Sequence, residues 1–173
     1  MHAIELNLND ITQLFNSMDP SPFNAKDLDH DAEEFIVSWA QEYGPHEPLT
    51  FRIHLEKWPA EDPTAIITEA VHNYFTYRSK INRLEFRQLI KQGRISLAIG
   101  LTFLASCLLI AEFLTVYEGR TWVRILREGF TIAGWVSMWK PLEICLYEWW
   151  PLVRRGQILT KLGKIPVEVL RKN

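Results

Sequence analysis

The densest group of residues able to do chemistry is Asp27-Leu28-Asp29-His30-Asp31-Ala32-Glu33-Glu34. Alternating carboxylates are the raw material of a calcium loop. Such a loop needs glycine at its sixth position and a bidentate glutamate at its twelfth. Counting from Asp27, those places hold Ala32 and Ser38. His30 and Glu34 stand one helical turn apart, with Asp31 between them, and could hold a metal only with ligands from elsewhere. The plainer reading is an acidic helix start, whose charges complement the positive end of the helix dipole. His54 and His72 have no carboxylate or nucleophile at catalytic spacing. Ser21 lies between Pro20 and Pro22, outside any nucleophile-elbow pattern. Gly93 and Gly100 do not follow a strand, so they form no phosphate-cradling loop. Two cysteines, Cys107 and Cys145, build neither a disulfide framework nor a zinc ribbon. These residues point to a protein that is not an enzyme, with no cofactor and no metal.

A second set of polar residues interrupts apolar sequence. From Ile95 to Ala111 there are 17 residues without a charge, and counting on through Val116 gives a largely apolar run of 22. A transmembrane helix needs about 20 such residues. Gly129–Trp139 is also uncharged but shorter. Read as the return arm of a hairpin that turns near Gly119, it brings Glu112 opposite Arg127 and Ile95 opposite Ile144. Glu112 and Arg127 then form an intramembrane ion pair that locks the hairpin. The alternative is a polar path through a small transporter or channel subunit, with Lys140 as a further member. Lys140 lies one turn inside the inner boundary, where its stem can reach the headgroups. Gly129, Ala133 and Ser137 share one helix face, opposite Ser106 and Thr102, and small residues let helices approach closely.

Charge sets the orientation. The net charge of −2 divides into −11 over residues 1–75 and +9 over 76–173. Six cations from Arg78 to Arg94 and six from Arg154 to Lys172 flank the hairpin, against Arg120, Arg124 and Arg127 at the turn. The positive-inside rule puts both termini in the cytoplasm, the protein being a multi-pass protein of the inner (cytoplasmic) membrane. The basic stretch before the hairpin favours anionic lipid at the inner face over nucleic acid. Lys140, Glu143, Trp149 and Trp150, followed by Pro151, read as the inner-interface anchor, and Trp122 fits the outer face. No basic region followed by an apolar run opens the chain, so no signal peptide is expected.

The acidic N-terminal part reads as a small α/β domain. Ile4–Leu8 alternates like a strand, and Asn9 starts a short helix through about Phe15. Asp29 caps a helix whose stripe is Ala32, Phe35, Ile36, Trp39, Ala40 and Tyr43, ended by Gly44 and Pro45. Leu49, Phe51, Ile53 and Leu55 alternate with polar residues as a half-buried strand. Asp62-Pro63 starts a helix that meets no strong breaker before Val116. Strand, helix, strand, helix implies a parallel pair. Two strands make a poor sheet, so either a third is hidden or a partner completes it.

The expected fold is a membrane α-helical hairpin of two transmembrane helices plus a small cytoplasmic α/β domain. Its divisions are the domain at 1–76, a basic juxtamembrane helix at 77–94, the hairpin at 95–146 and an interfacial C-terminal tail at 147–173. Ser21-Pro22-Phe23, Asp27-Leu28-Asp29 and Ala32-Glu33-Glu34-Phe35-Ile36 resemble an uncharacterised family of bacterial conserved membrane proteins. Trp139-Lys140-Pro141-Leu142-Glu143 and Tyr147-Glu148-Trp149-Trp150-Pro151 are similar to it too. The resemblance spans most of the chain and implies no activity. The function expected is a non-enzymatic membrane anchor or scaffold whose head binds a protein partner or self-associates. Ser21, Pro22, Phe23, Asp27, Asp29, Glu33 and Glu34 are the expected contact residues.

Overall fold

The computed structural model describes residues 2–20, 22, 26–44, 47–117 and 119–172. It is mostly helical, with one small parallel sheet. In chain order the elements are β1 (His2–Leu8), a 3₁₀ turn (Ile11–Leu14), α1 (His30–Glu42), β2 (Leu49–Leu55) and α2 (Thr64–Leu114). There follow a 3₁₀ turn (Thr115–Tyr117), α3 (Thr121–Val136), α4 (Trp139–Glu143), a π-helical turn (Ile144–Glu148), α5 (Trp149–Leu162) and β3 (Val167–Arg171). Two compact units result: residues 1–83 with 154–173, and Leu84–Val153.

The first unit, the head, is built on a sheet of order β1-β2-β3, parallel throughout. β3 is the hidden strand, and it comes from the segment expected to be a tail. Phe51 pairs with Ile4 on one side and Val167 on the other, and Ile53 with Leu6 and Val169. Parallel neighbours require crossovers, and crossovers have one hand. Two same-handed crossovers stepping the same way along the sheet bring their helices to the same face. The core agrees: Ala32, Ile36 and Ala40 of α1, Ile67, Val71 and Phe75 of α2, and Ile158, Leu159 and Leu162 of α5 cluster with the inward residues of all three strands. The other face is polar. Arg52 sits in its middle row, 2.8 Å from Glu168 on β3 and 3.8 Å from Glu5 on β1.

Local signals explain the element ends. Asp29 accepts from the Asp31 amide at the start of α1, and Asp62 from the Thr64 amide and hydroxyl at the start of α2. The short turn after β1 is capped by Asp10, one residue beyond the expected Asn9. At the other end of α1, α5 supplies cations to bare carbonyls: Lys161 Nζ donates to Gly44 (2.8 Å) and Arg154 to Gln41 (3.4 Å). His72, without a partner at catalytic spacing, donates Nε2–H to the Ile165 carbonyl at 2.7 Å. α2 is thereby tied to the approach to β3.

In the second unit α2 runs against the return arm, and of the expected small residues Ser137 takes part, its hydroxyl donating to the Gly100 carbonyl at 3.2 Å. Gly129 has open space around it, and Thr102, Ser106 and Ala133 are exposed. The face in use is Gly93, Gly100, Cys107 and Ala111, all buried. A Cβ on Gly100 would lie 3.0 Å from the Ser137 carbonyl oxygen, and one on Gly134 3.1 Å from Cys107 Cβ. Gly93 and Gly100 are seven apart, as are Gly100 and Cys107, and this period keeps one seam facing a neighbouring helix. The return arm is broken. Pro141 has no N–H for the Ser137 carbonyl, so α3 stops at Val136 and the chain turns before α4.

One helix among the described residues, Thr64–Tyr117 with its 3₁₀ end, is long and apolar enough to cross a membrane. The expected second span is instead divided between α3, of 16 residues, and α4, of 5.

Candidate functional site

The loop that leads into the acidic segment is closed where its two ends meet. Phe15 and Leu28 form an isolated antiparallel bridge; the Asn16 amide donates to the Asp27 carbonyl and the Asp29 amide to the Leu14 carbonyl, each at 2.9 Å. Ser21 and Phe23 lie outside the described residues. Pro22, Asp27 and Glu34 are exposed. Asp29 is half-buried and spent on capping. Among the described residues no group of three His, Cys, Asp or Glu side chains could hold a metal ion.

Glu33 is set apart from its acidic neighbours. It points inward, 8% exposed, and meets two side chains of α2. Tyr74 donates its hydroxyl at 2.5 Å, and Arg78 brings Nε to 2.8 Å and a terminal nitrogen to 2.7 Å of one oxygen, Oε1. Burial, then the hydrogen bond to Glu33, pushes the Tyr74 hydroxyl well above its ordinary value. Such a node positions α1 against α2 and leaves Glu33 unable to serve as a surface contact. In the sequence Arg78 is one of several flanking cations, and only the α1–α2 pairing singles it out.

The charges expected within the apolar unit do not meet as a pair. Glu112 is exposed, and no ion pair joins it to Arg127 among the described residues. The contact face of α2 passes through Ala111, so Glu112 is rotated off it. Lys140 does find carboxylates. Its Nζ is 3.3 Å from Glu143 and 2.5 Å from Glu148. Glu148 lies eight residues from Lys140, off α-helical spacing, and the π-helical turn lies between them. Trp149 donates its indole N–H to the Cys145 carbonyl at 2.8 Å and packs edge-on to Trp150.

The dominant property of this unit is exposed apolar surface. Ile99, Leu109, Phe113, Ile125, Ile132, Trp135 and Val136 are each more than 60% exposed, and 17% of the most apolar window of α2 is buried. No family model, no curated protein and no solved structure matches the chain.

Proposed function

We propose that the protein is a membrane anchor: a helical hairpin embedded in the bilayer that carries the α/β head in the cytoplasm as a protein-binding module. Large apolar side chains exposed along α2 and α3 in this number are rare in water-soluble monomers, and lipid is an environment that suits them.

The observation that carries the hairpin is the pairing of β3 with β2. β2 precedes α2, and β3 follows the return arm. Strands of one sheet share one compartment, so the chain between them crosses an even number of times. A single crossing by α2 would part the sheet. Hence α3 and α4 together return through the bilayer, with the charge of Lys140 compensated by Glu143 and Glu148. The surplus of cations beside the head favours the reading with both termini on the cytoplasmic side. The exposed Pro22, Asp27 and Glu34, beside a loop fixed at both ends, offer the head a contact surface.

Thiol labelling tests the topology. In a chain with Cys107→Ala and Cys145→Ser, single cysteines at Asn7→Cys and Lys172→Cys should react only from the cytoplasmic side, and Gly119→Cys only from the other. Labelling of all three from one side would overturn the hairpin. For the head, extraction in mild detergent should yield an oligomer or a stoichiometric protein partner. A lone monomer would overturn the binding role.

A further inference from the structure

α2 and the π-helical turn enclose a groove of about 290 Å³, lined by Ile90, Gly93, Arg94, Leu97, Ile144 and Trp149. Ligand pockets for whole small molecules run to ~300–1,000 Å³. This groove is therefore matched to a slender apolar segment. Its floor is tight, since a Cβ on Gly93 would fall 2.9 Å from Ile144 Cγ2. Its outer wall exists because the backbone widens at Ile144–Glu148, and π-helical turns of this kind concentrate at functional sites. Trp149 is held in place by its bond to the Cys145 carbonyl, which leaves its ring as part of the lining.

One charge lines the groove, and it is a cation. Arg94 is exposed, stands one residue before the apolar run from Ile95, and has no ion-pair partner among the described residues. Arg87 and Lys91 are exposed at seven and three residues before it on the same helix, so the three share one face. The carboxylates nearest in sequence on the opposite wall, Glu143 and Glu148, are engaged with Lys140. An apolar slot beside an uncompensated cation stripe at a bilayer boundary has a definite chemical complement.

We propose that this groove is a binding site for one anionic phospholipid of the inner leaflet, its phosphate at Arg94 and an acyl chain along Ile90, Leu97, Ile144 and Trp149. The site rests on the membrane reading above and goes beyond it, because bulk attraction to anionic headgroups requires no slot.

The test is native mass spectrometry of the full chain released from nanodiscs of mixed phosphatidylglycerol and phosphatidylcholine. The parent should retain one phosphatidylglycerol per chain through mild activation. Arg94→Gln should retain it about fivefold less, the size expected for one cation near a lipid surface. Arg94→Lys should restore most of it, and Arg124→Gln, near the hairpin turn, should change nothing. Equal retention by the parent and Arg94→Gln, with the protein still inserted, would overturn the site alone. A protein that never enters the nanodisc would overturn the membrane reading instead.

Discussion

Glu33 shows how much the surroundings of a residue decide its role. It belongs to a run of carboxylates that reads as one acidic surface, yet its neighbours Asp31 and Glu34 face water while it is nine-tenths buried between Tyr74 and Arg78. Breaking a fully buried pair costs ~3–5 kcal/mol. The Arg78 side chain is 31% exposed, which screens part of that. Glu33→Ala should therefore destabilise the head by about 2 kcal/mol, read as the shift in a urea unfolding midpoint, whereas Glu34→Ala should shift it little. An equal response of the two variants would contradict the buried node. Tyr74 adds a pH signature. Its hydroxyl is raised above the value of ~10 that it has in an unfolded chain. The stabilisation is thus complete below about pH 10 and is lost as pH climbs above it. Lys161, held down by burial, works the other way, so stability it withholds near neutral pH returns as pH approaches its ordinary value. Against the parent at each pH, Tyr74→Phe should flatten the decline above about pH 10, and a decline of unchanged slope would remove Tyr74 as its cause.

Most elements were legible from local signals because those signals act locally. Asp29 caps α1 and Asp62 leads α2, as their positions imply, and the alternation from Leu49 to Leu55 coincides with β2. β3 escaped because Val167 and Val169 alternate with Glu168 for only five residues, within a tail rich in cations. Its cue was long-range: Glu168 is the partner that Arg52 needs across the sheet. The helix seam is only partly legible for a related reason. Composition cannot say which small residues face inward, and Gly129 and Ala133 look as suitable as Gly100, Cys107 and Gly134. The structure separates them through close approach. Backbone is the nearest neighbour of a Cβ on Gly100, and backbone cannot swing aside. Gly100→Ala should loosen the arms by ~1–3 kcal/mol, the usual cost of overpacking. Gly129→Ala, facing open space, should leave thermal stability in detergent unchanged or slightly improved. If Gly129→Ala were the more damaging variant, the arms would meet on the face of Gly129 and not on that of Gly100.

At the scale of the molecule, the apolar unit is an insertion within a single sheet. The chain makes β1, α1 and β2, departs through Leu84–Val153, and completes the fold only with α5 and β3. The head therefore cannot finish folding until the return arm has been made, and its integrity depends on residues at the far end of the chain. This dependence separates the protein from a tethered domain, which would fold from one continuous stretch. Val169 offers the decisive substitution. It is 9% exposed, pairs with Ile53 and belongs to the head's core. Val169→Asp would place a carboxylate among apolar side chains with no partner, a change that costs several kcal/mol, comparable with the whole stability of a small domain. The expected result is a head cut by protease within residues 1–63, more than a hundred residues from the substitution, while Leu84–Val153 stays in the membrane fraction. Val169→Ile should leave the head resistant. A protease-resistant head in Val169→Asp would show that β1, β2 and their helices stand without β3, and the proposed two-way crossing would lose its support.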